Sequence, residues 1–110
     1  MYLPAPDEAL WVGVVRLVLH LPQARTLKDR RSVVQSVVRR IEARHKVCIA
    51  EVGHLENPGA AVVAATVVGN DQRLVRARLD AIRTEAEKGG DAWLAEVTTW
   101  TQKMGEVGAQ

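Results

Sequence analysis

Apolar residues recur along the chain with two different periods, and the switches between them mark six elements. Leu10 to Leu21 alternates with period two: Trp11, Gly13, Val15, Leu17, Leu19 and Leu21 share one side, and Val12, Val14, Arg16, Val18 and His20 share the other. The first side carries no polar side chain and is predicted to face the core. The second mixes valines with an Arg and a His, the pattern of a half-exposed or interface surface. Pro22 ends this strand. From Leu27 the spacing turns helical, with Leu27, Val33, Val34, Val37, Val38 and Ile41 gathered on one side. Thr26 is the predicted N-cap, Asp29 can reach back as in a capping box, and the helix should stop near His45. Val47 to His54 reads as a short strand, followed by the turn signal Glu56-Asn57-Pro58-Gly59. Ala60 to Val68 is apolar on both sides, as in a central strand. Asn70 and Asp71 offer an N-cap for a second helix in which Val75, Leu79, Ile82 and Ala86 share a face, and Gly89-Gly90 closes it. Ala92 to about Gln102 is the last strand. There Trp93, Val97 and Thr99 alternate against Leu94, Glu96 and Trp100, and the pattern leaves open which set faces inward.

The order strand-helix-strand-strand-helix-strand is the split βαβ arrangement of the ferredoxin-like α+β folds: a four-stranded antiparallel sheet with two helices on one face. It predicts a single domain over residues 11–102, with a flexible N-terminal extension at 1–10 and a flexible tail at 103–110. Helices on one face leave the other uncovered, and that face would carry Val12, Val14 and Val18 beside apolar residues of the third strand. A large bare apolar patch is unusual in a monomer, so these three valines are the expected self-association surface and a homodimer the expected state. With the last strand beside the first, Trp11 and Trp100 are expected to meet at one end of the sheet.

Composition adds limits. The 110 residues are 47% apolar and 25% charged, ordinary for a globular domain, and contain no Phe. The single cysteine, Cys48, rules out an internal disulfide framework. The first eight residues lack the basic and apolar regions of a signal peptide, and no apolar run reaches the ~20 residues of a membrane helix. The expectation is therefore cytoplasmic, with no membrane partner. Charge changes the picture more. The net charge is +2, yet residues 25–46 alone hold eight cationic residues against two acidic ones. On the helix Lys28, Arg31, Gln35 and Arg39 form one stripe, with Arg25 just ahead of it. Such a stripe suits a polyanion, although a solvated amphipathic helix has the same look. Arg30 and Arg44 fall beside the apolar arc, where each can snorkel over the core margin.

Candidate chemistry is sparse. The first and second strands are expected to run antiparallel with the third between them, so His20 and His54 would lie at opposite ends of the sheet, roughly 26 Å apart, and His20 with Cys48 makes no metal site. Glu51 and His54 point to opposite faces of a strand, and Ser32 and Ser36 have no identifiable base. Arg16 and Glu51, also on strands, suit ion pairing at an interface better than catalysis. Pro22-Gln23-Ala24-Arg25 lacks the glycines of a phosphate-cradling loop, and no nucleotide-binding glycine motif is present. The reading is against an enzyme, with no cofactor and no metal. RRM domains share the topology but stack bases on aromatics of their central strands, and the third strand here has none. RNA would instead meet the basic helix through phosphates, at Lys28, Arg31, Arg39 and Arg25.

Four blocks resemble the YlxP-like family, also called domain of unknown function 503. They are Trp11-Val12-Gly13-Val14-Val15-Arg16-Leu17, Ala24 to Val33 (ARTLKDRRSV), Ala50-Glu51-Val52-Gly53-His54, and Val67-Val68-Gly69-Asn70-Asp71. The resemblance spans about residues 11–102. It implies a ferredoxin-like protein of bacterial, cytoplasmic type without an established activity. Genes of the family often stand beside those of translation initiation factor two and a ribosome-binding factor, which points by association to ribosome assembly or translation. The chain departs from the family after His54, where Leu55-Glu56-Asn57-Pro58-Gly59-Ala60 replaces a run bearing Trp and Arg. The leading expectation is a non-enzymatic accessory protein that binds ribosomal RNA or a translation factor through the basic helix. The alternative is a homodimeric protein-interaction module that binds no nucleic acid.

Overall fold

In a computed structural model describing residues 3–88 and 90–105, the elements form in the expected order. They are β1 (Trp11–His20), α1 (Leu27–His45), β2 (Cys48–Gly53), β3 (Ala60–Gly69), α2 (Gln72–Ala86) and β4 (Trp93–Lys103). Residues 1–2 of the extension, Gly89 of the glycine pair and residues 106–110 of the tail lie outside the described residues. The strands make one sheet in the order β2-β3-β1-β4, antiparallel at every neighbouring pair. This is the ferredoxin-like α+β arrangement.

Both helices cover one face because that face carries the continuous apolar rows. Val15, Leu17, Leu19 and Leu21 are fully buried against Val34, Val37 and Ile41 of α1 and Val75, Leu79 and Ile82 of α2. Between β1 and α2 the packing is close enough to need a missing side chain. A Cβ on Gly13 would lie 2.5 Å from Val75 Cγ1 and 2.9 Å from Leu79 Cδ1. The glycine thus lets α2 settle onto the centre of the sheet.

The helix ends follow the sequence signals. Thr26 Oγ1 accepts from the Asp29 N–H at 3.1 Å, and Asp29 Oδ2 accepts from the Arg25 N–H, one residue before the cap. Asp71 caps α2 by accepting from the Arg73 N–H at 2.8 Å. Lys46 ends α1 in the left-handed conformation, its N–H bonded to the Glu42 carbonyl.

Three expectations change. First, β1 and β2 both run antiparallel to β3 and are therefore parallel to each other. His20 sits opposite Ala60 and Gly53 opposite Val62, so His20 and His54 share an end of the sheet, while Cys48, opposite Thr66, lies towards the other. Second, Trp11 and Trp100 do not meet. Trp11 pairs with Lys103 and lies on the helix side, whereas Trp100 pairs with Val14 on the open side. Third, the irregular alternation of β4 has a local cause. Leu94 pairs with Leu19 and Glu96 with Val18, which leaves Ala95 as an extra, bulged residue. The bulge puts Leu94, Val97 and Thr99 on the helix side and Trp93, Glu96 and Trp100 on the open side. Strict period-two counting across residue 95 cannot find that division.

Replacing Gly13 by Ala or Val should lift α2 off β1 and cost about 1–3 kcal/mol of stability, as overpacking does. Urea unfolding of the two variants against the parent measures it, with Val the more damaging.

Candidate nucleic-acid interface

Helix α1 sorts its cationic side chains by direction. Arg30 points inward and is 5% exposed. Its Nε donates to the carbonyls of Asn57 (2.8 Å) and Ala60 (3.1 Å), Nη2 donates to the carbonyl of His54 (2.7 Å), and the guanidinium pairs with the Glu51 carboxylate. The expectation that Arg30 snorkels is therefore corrected: its head group is the buried part. It holds the β2–β3 connection by backbone oxygens, including that of His54, which is in the left-handed conformation. Glu51 thereby serves within the chain. Arg16, on the open face, pairs with Glu96 of the neighbouring strand at 3.2 Å.

At the other end of α1, Arg40, Arg44 and His45 converge on Glu85 of α2, at 3.1, 3.8 and 3.6 Å, and Lys88 approaches it at 3.5 Å. Glu85 is 3% exposed. Burial pushes its carboxyl pKa up, but Lys88, Arg44 and Arg40 together outweigh burial and hold it below the ordinary 4.5. Arg40 also donates to the Glu85 carbonyl, and Arg78 of α2 donates to the carbonyl of His45. Arg44, expected to snorkel at the core margin, remains largely exposed while its head group reaches towards Glu85.

What remains faces solvent. Lys28, Arg31 and Arg39 are exposed along one side of α1, with Arg25 exposed just before its cap. None of the four side chains takes part in an ion pair among the described residues, in contrast to Arg30, Arg40 and Arg44. Eleven residues at 1.5 Å each place Lys28 and Arg39 about 16 Å apart along the helix. Helix α2 adds Arg73 and Arg76, also exposed. They lie outside the 25–46 segment that dominates the charge count, although their i, i+3 spacing was already visible. Across the two helices ten arginines and lysines stand against four acidic residues, while the strands carry Arg16 and Lys103 against Glu51 and Glu96. The excess positive charge of the folded core therefore lies in the helical layer.

The open face holds the three valines expected at a self-association surface. Val12, Val14 and Val18 are half-buried there, opposite Val68, Thr66 and Val62 of β3. A surface depression of about 770 Å³ between α2 and β4 is lined by residues such as Asp80, Arg83, Glu87 and Trp93, with no His, Cys or Ser among the described lining residues. No group of three or more His, Cys, Asp or Glu among the described residues could hold a metal ion. No described helix is long and apolar enough to cross a membrane.

The model of the family described as protein of unknown function (DUF503) matches residues 12–99. The chain belongs to this family. The match takes in both sheet faces and both helices of the DUF503 chain, including Arg31 and Arg39. Comparison with curated proteins gives no match. Among solved structures the DUF503 chain is similar to a de novo designed protein, Foldit4, at 15% identity and a TM-score of 0.48. That likeness covers 84% of this chain and 96% of the designed one.

Two outcomes follow from the inward-facing charges. Arg30→Met leaves three carbonyls and Glu51 without their partner and should cost about 3–5 kcal/mol in urea unfolding. Because the Glu85 pKa is depressed on folding, its stabilisation is present above the ordinary 4.5 and lost as the pH falls through the folded value. Thermal melts run from neutral pH to about pH 3 should show Glu85→Gln less stable at neutral pH and flatter on the acid limb.

Proposed function

We propose that this chain is a non-enzymatic accessory protein of the cytoplasm that binds the phosphate backbone of ribosomal RNA through α1. The observation that carries this reading is the split among the cations of one helix. Those able to reach a carboxylate are bound to it, and Lys28, Arg31, Arg39 and Arg25 are left pointing outward with none. A stripe about 16 Å long offers fixed, multivalent charge of the kind that tracks a nucleic-acid backbone. The neighbourhood of translation genes implied by the family resemblance supports ribosomal RNA as the source of the phosphates. Four such contacts give a slope of log affinity against log salt of about −3 to −4.

A second reading, that the chain is a homodimeric interaction module, draws on a different face. Trp93 and Trp100, 64% and 54% exposed, stand on the open side of the sheet with Val12, Val14 and Val68. The two faces are opposite, so self-association leaves the basic stripe free.

Binding to purified small-subunit ribosomal RNA, followed by fluorescence anisotropy over a salt series, tests the first reading. Arg31→Glu with Arg39→Glu should abolish binding without changing stability. Single Lys28→Ala or Arg25→Ala changes should each reduce the salt slope by about one. Retention of RNA at low salt by the double reversal would reject the helix as the binding surface.

A further inference from the structure

Two cross-strand rows of the open face are divided by side-chain size. On β4 and β1 they carry Trp100, Thr98, Val14 and Arg16, and on β3 and β2 they carry Thr66, Ala64, Cys48 and Ala50. One cross-strand row shows the division directly: Trp100 on β4 stands opposite Val14, Val14 opposite Thr66, and Thr66 opposite Cys48. The small side chains of Ala64, Thr66, Cys48 and Ala50 leave a hollow beside Val14, part of a depression of about 370 Å³ that continues past the β2 edge to Glu42, Val47 and Ile49. A large indole thus stands on one side of Val14 and an apolar hollow lies on the other, at the same level of the sheet.

We propose that two copies of the chain pack open face to open face, with Trp100 of each seated in the other's hollow; this rests on the self-association reading and specifies its geometry. A two-fold axis parallel to the strands and midway between β1 and β3 places β1 of one copy over β3 of its partner, and β4 over β2. In these two rows large lies over small, with Trp100 over the partner's Cys48, Thr98 over the partner's Ala50 and Arg16 over the partner's Ala64, while the like-sized Val14 and Thr66 face each other. Because Trp100 and Cys48 share a row, this axis brings them together without a slide along the strands. The interface is isologous and closes as a dimer. Sheets packed in this aligned way stack about 10 Å apart with interdigitated side chains, which suits a knob entering a hollow. Three strands about 33 Å long and the shorter β2, about 20 Å, spaced about 4.8 Å apart, present roughly 590 Å² before side-chain relief, towards the small end of the ~800 Å² per partner of a stable interface. Arg16 lies one row from Trp100 and Glu96 two, and they enter the contact already paired with each other.

Cys48 reports on this geometry because it is the only cysteine and is exposed in the single chain. Light scattering across the micromolar range should give twice the 12.1 kDa chain mass. Alkylation of Cys48 by iodoacetamide should slow as concentration rises. Trp100→Ala removes the knob and should weaken the dimer by at least about 30-fold, as loss of a central aromatic anchor does. Ala50→Trp fills the hollow from an exposed position and should give a folded monomer whose unfolding midpoint no longer depends on concentration. In both variants Cys48 should react at a rate independent of concentration. A parent that stays at the single-chain mass overturns self-association as a whole. A dimer that persists in both variants with Cys48 freely alkylated overturns only the Trp100 placement and assigns the contact to another surface. The Arg31→Glu, Arg39→Glu protein should remain dimeric, so RNA binding and self-association are scored separately.

Discussion

One buried guanidinium ties the two halves of the βαβ unit together. Arg30 lies in the first turns of α1, yet every group it binds belongs to β2, to the connection between β2 and β3 or to the first residue of β3. A charged group at this depth is tolerated only with its donors matched, and here three carbonyls and a carboxylate match them. Three consequences follow from it. The N-terminal end of α1 is pinned over the hairpin, the left-handed backbone at His54 is held, and the helix is rotated so that Lys28 and Arg31 project outward. Glu85 performs the corresponding task at the other end of α1, drawing Arg40, Arg44 and His45 towards α2. Between these two anchors the helix has little freedom to turn, and its outward stripe is correspondingly fixed.

The same anchors explain how the β2–β3 connection keeps its shape with little help from its own side chains. The contacts that shape this loop run from Arg30 to backbone oxygens of His54, Asn57 and Ala60, not to side chains. The Asn57 side chain adds only a local bond, accepting from the Gly59 N–H at 2.9 Å. A connection read by its carbonyls accepts many sequences. The fold and the loop's chemistry are therefore separable, and the outward stripe of α1 depends on the first alone.

The two faces of the domain come out chemically distinct for a related reason. A sheet covered on one side must place its helices' spare charges on the outer surface of the helical layer, since the inner surface is apolar. The bare sheet face inherits whatever the alternate positions of four strands supply. Here those are valines, alanines and two tryptophans around a single Arg16–Glu96 pair. A basic helical layer and a nearly neutral, partly apolar sheet can each serve a separate partner.

Much of this was legible in the chain. Six elements, their order and both helix caps could be read from the period of the apolar positions, because alternation and 3.6-residue spacing are local properties. The inward set of β1 and the exposed stripe Lys28, Arg31 and Arg39 could be read for the same reason. Other features depend on strands or helices far apart in sequence, and only the folded chain decides them. The parallel relation of β1 and β2 arises from their common neighbour β3, which is what brings His20 and His54 to one end. The bulge at Ala95 answers to the pairing with β1, and it sends Trp93 and Trp100 to the open face. Arg30 is the clearest case. Its helical position alone marks it as marginal to the core, and the carbonyls that bury it come from 24 to 30 residues further along the chain. Periodicity assigns a residue to a face, but the partners that satisfy a charge on that face are supplied by tertiary contact.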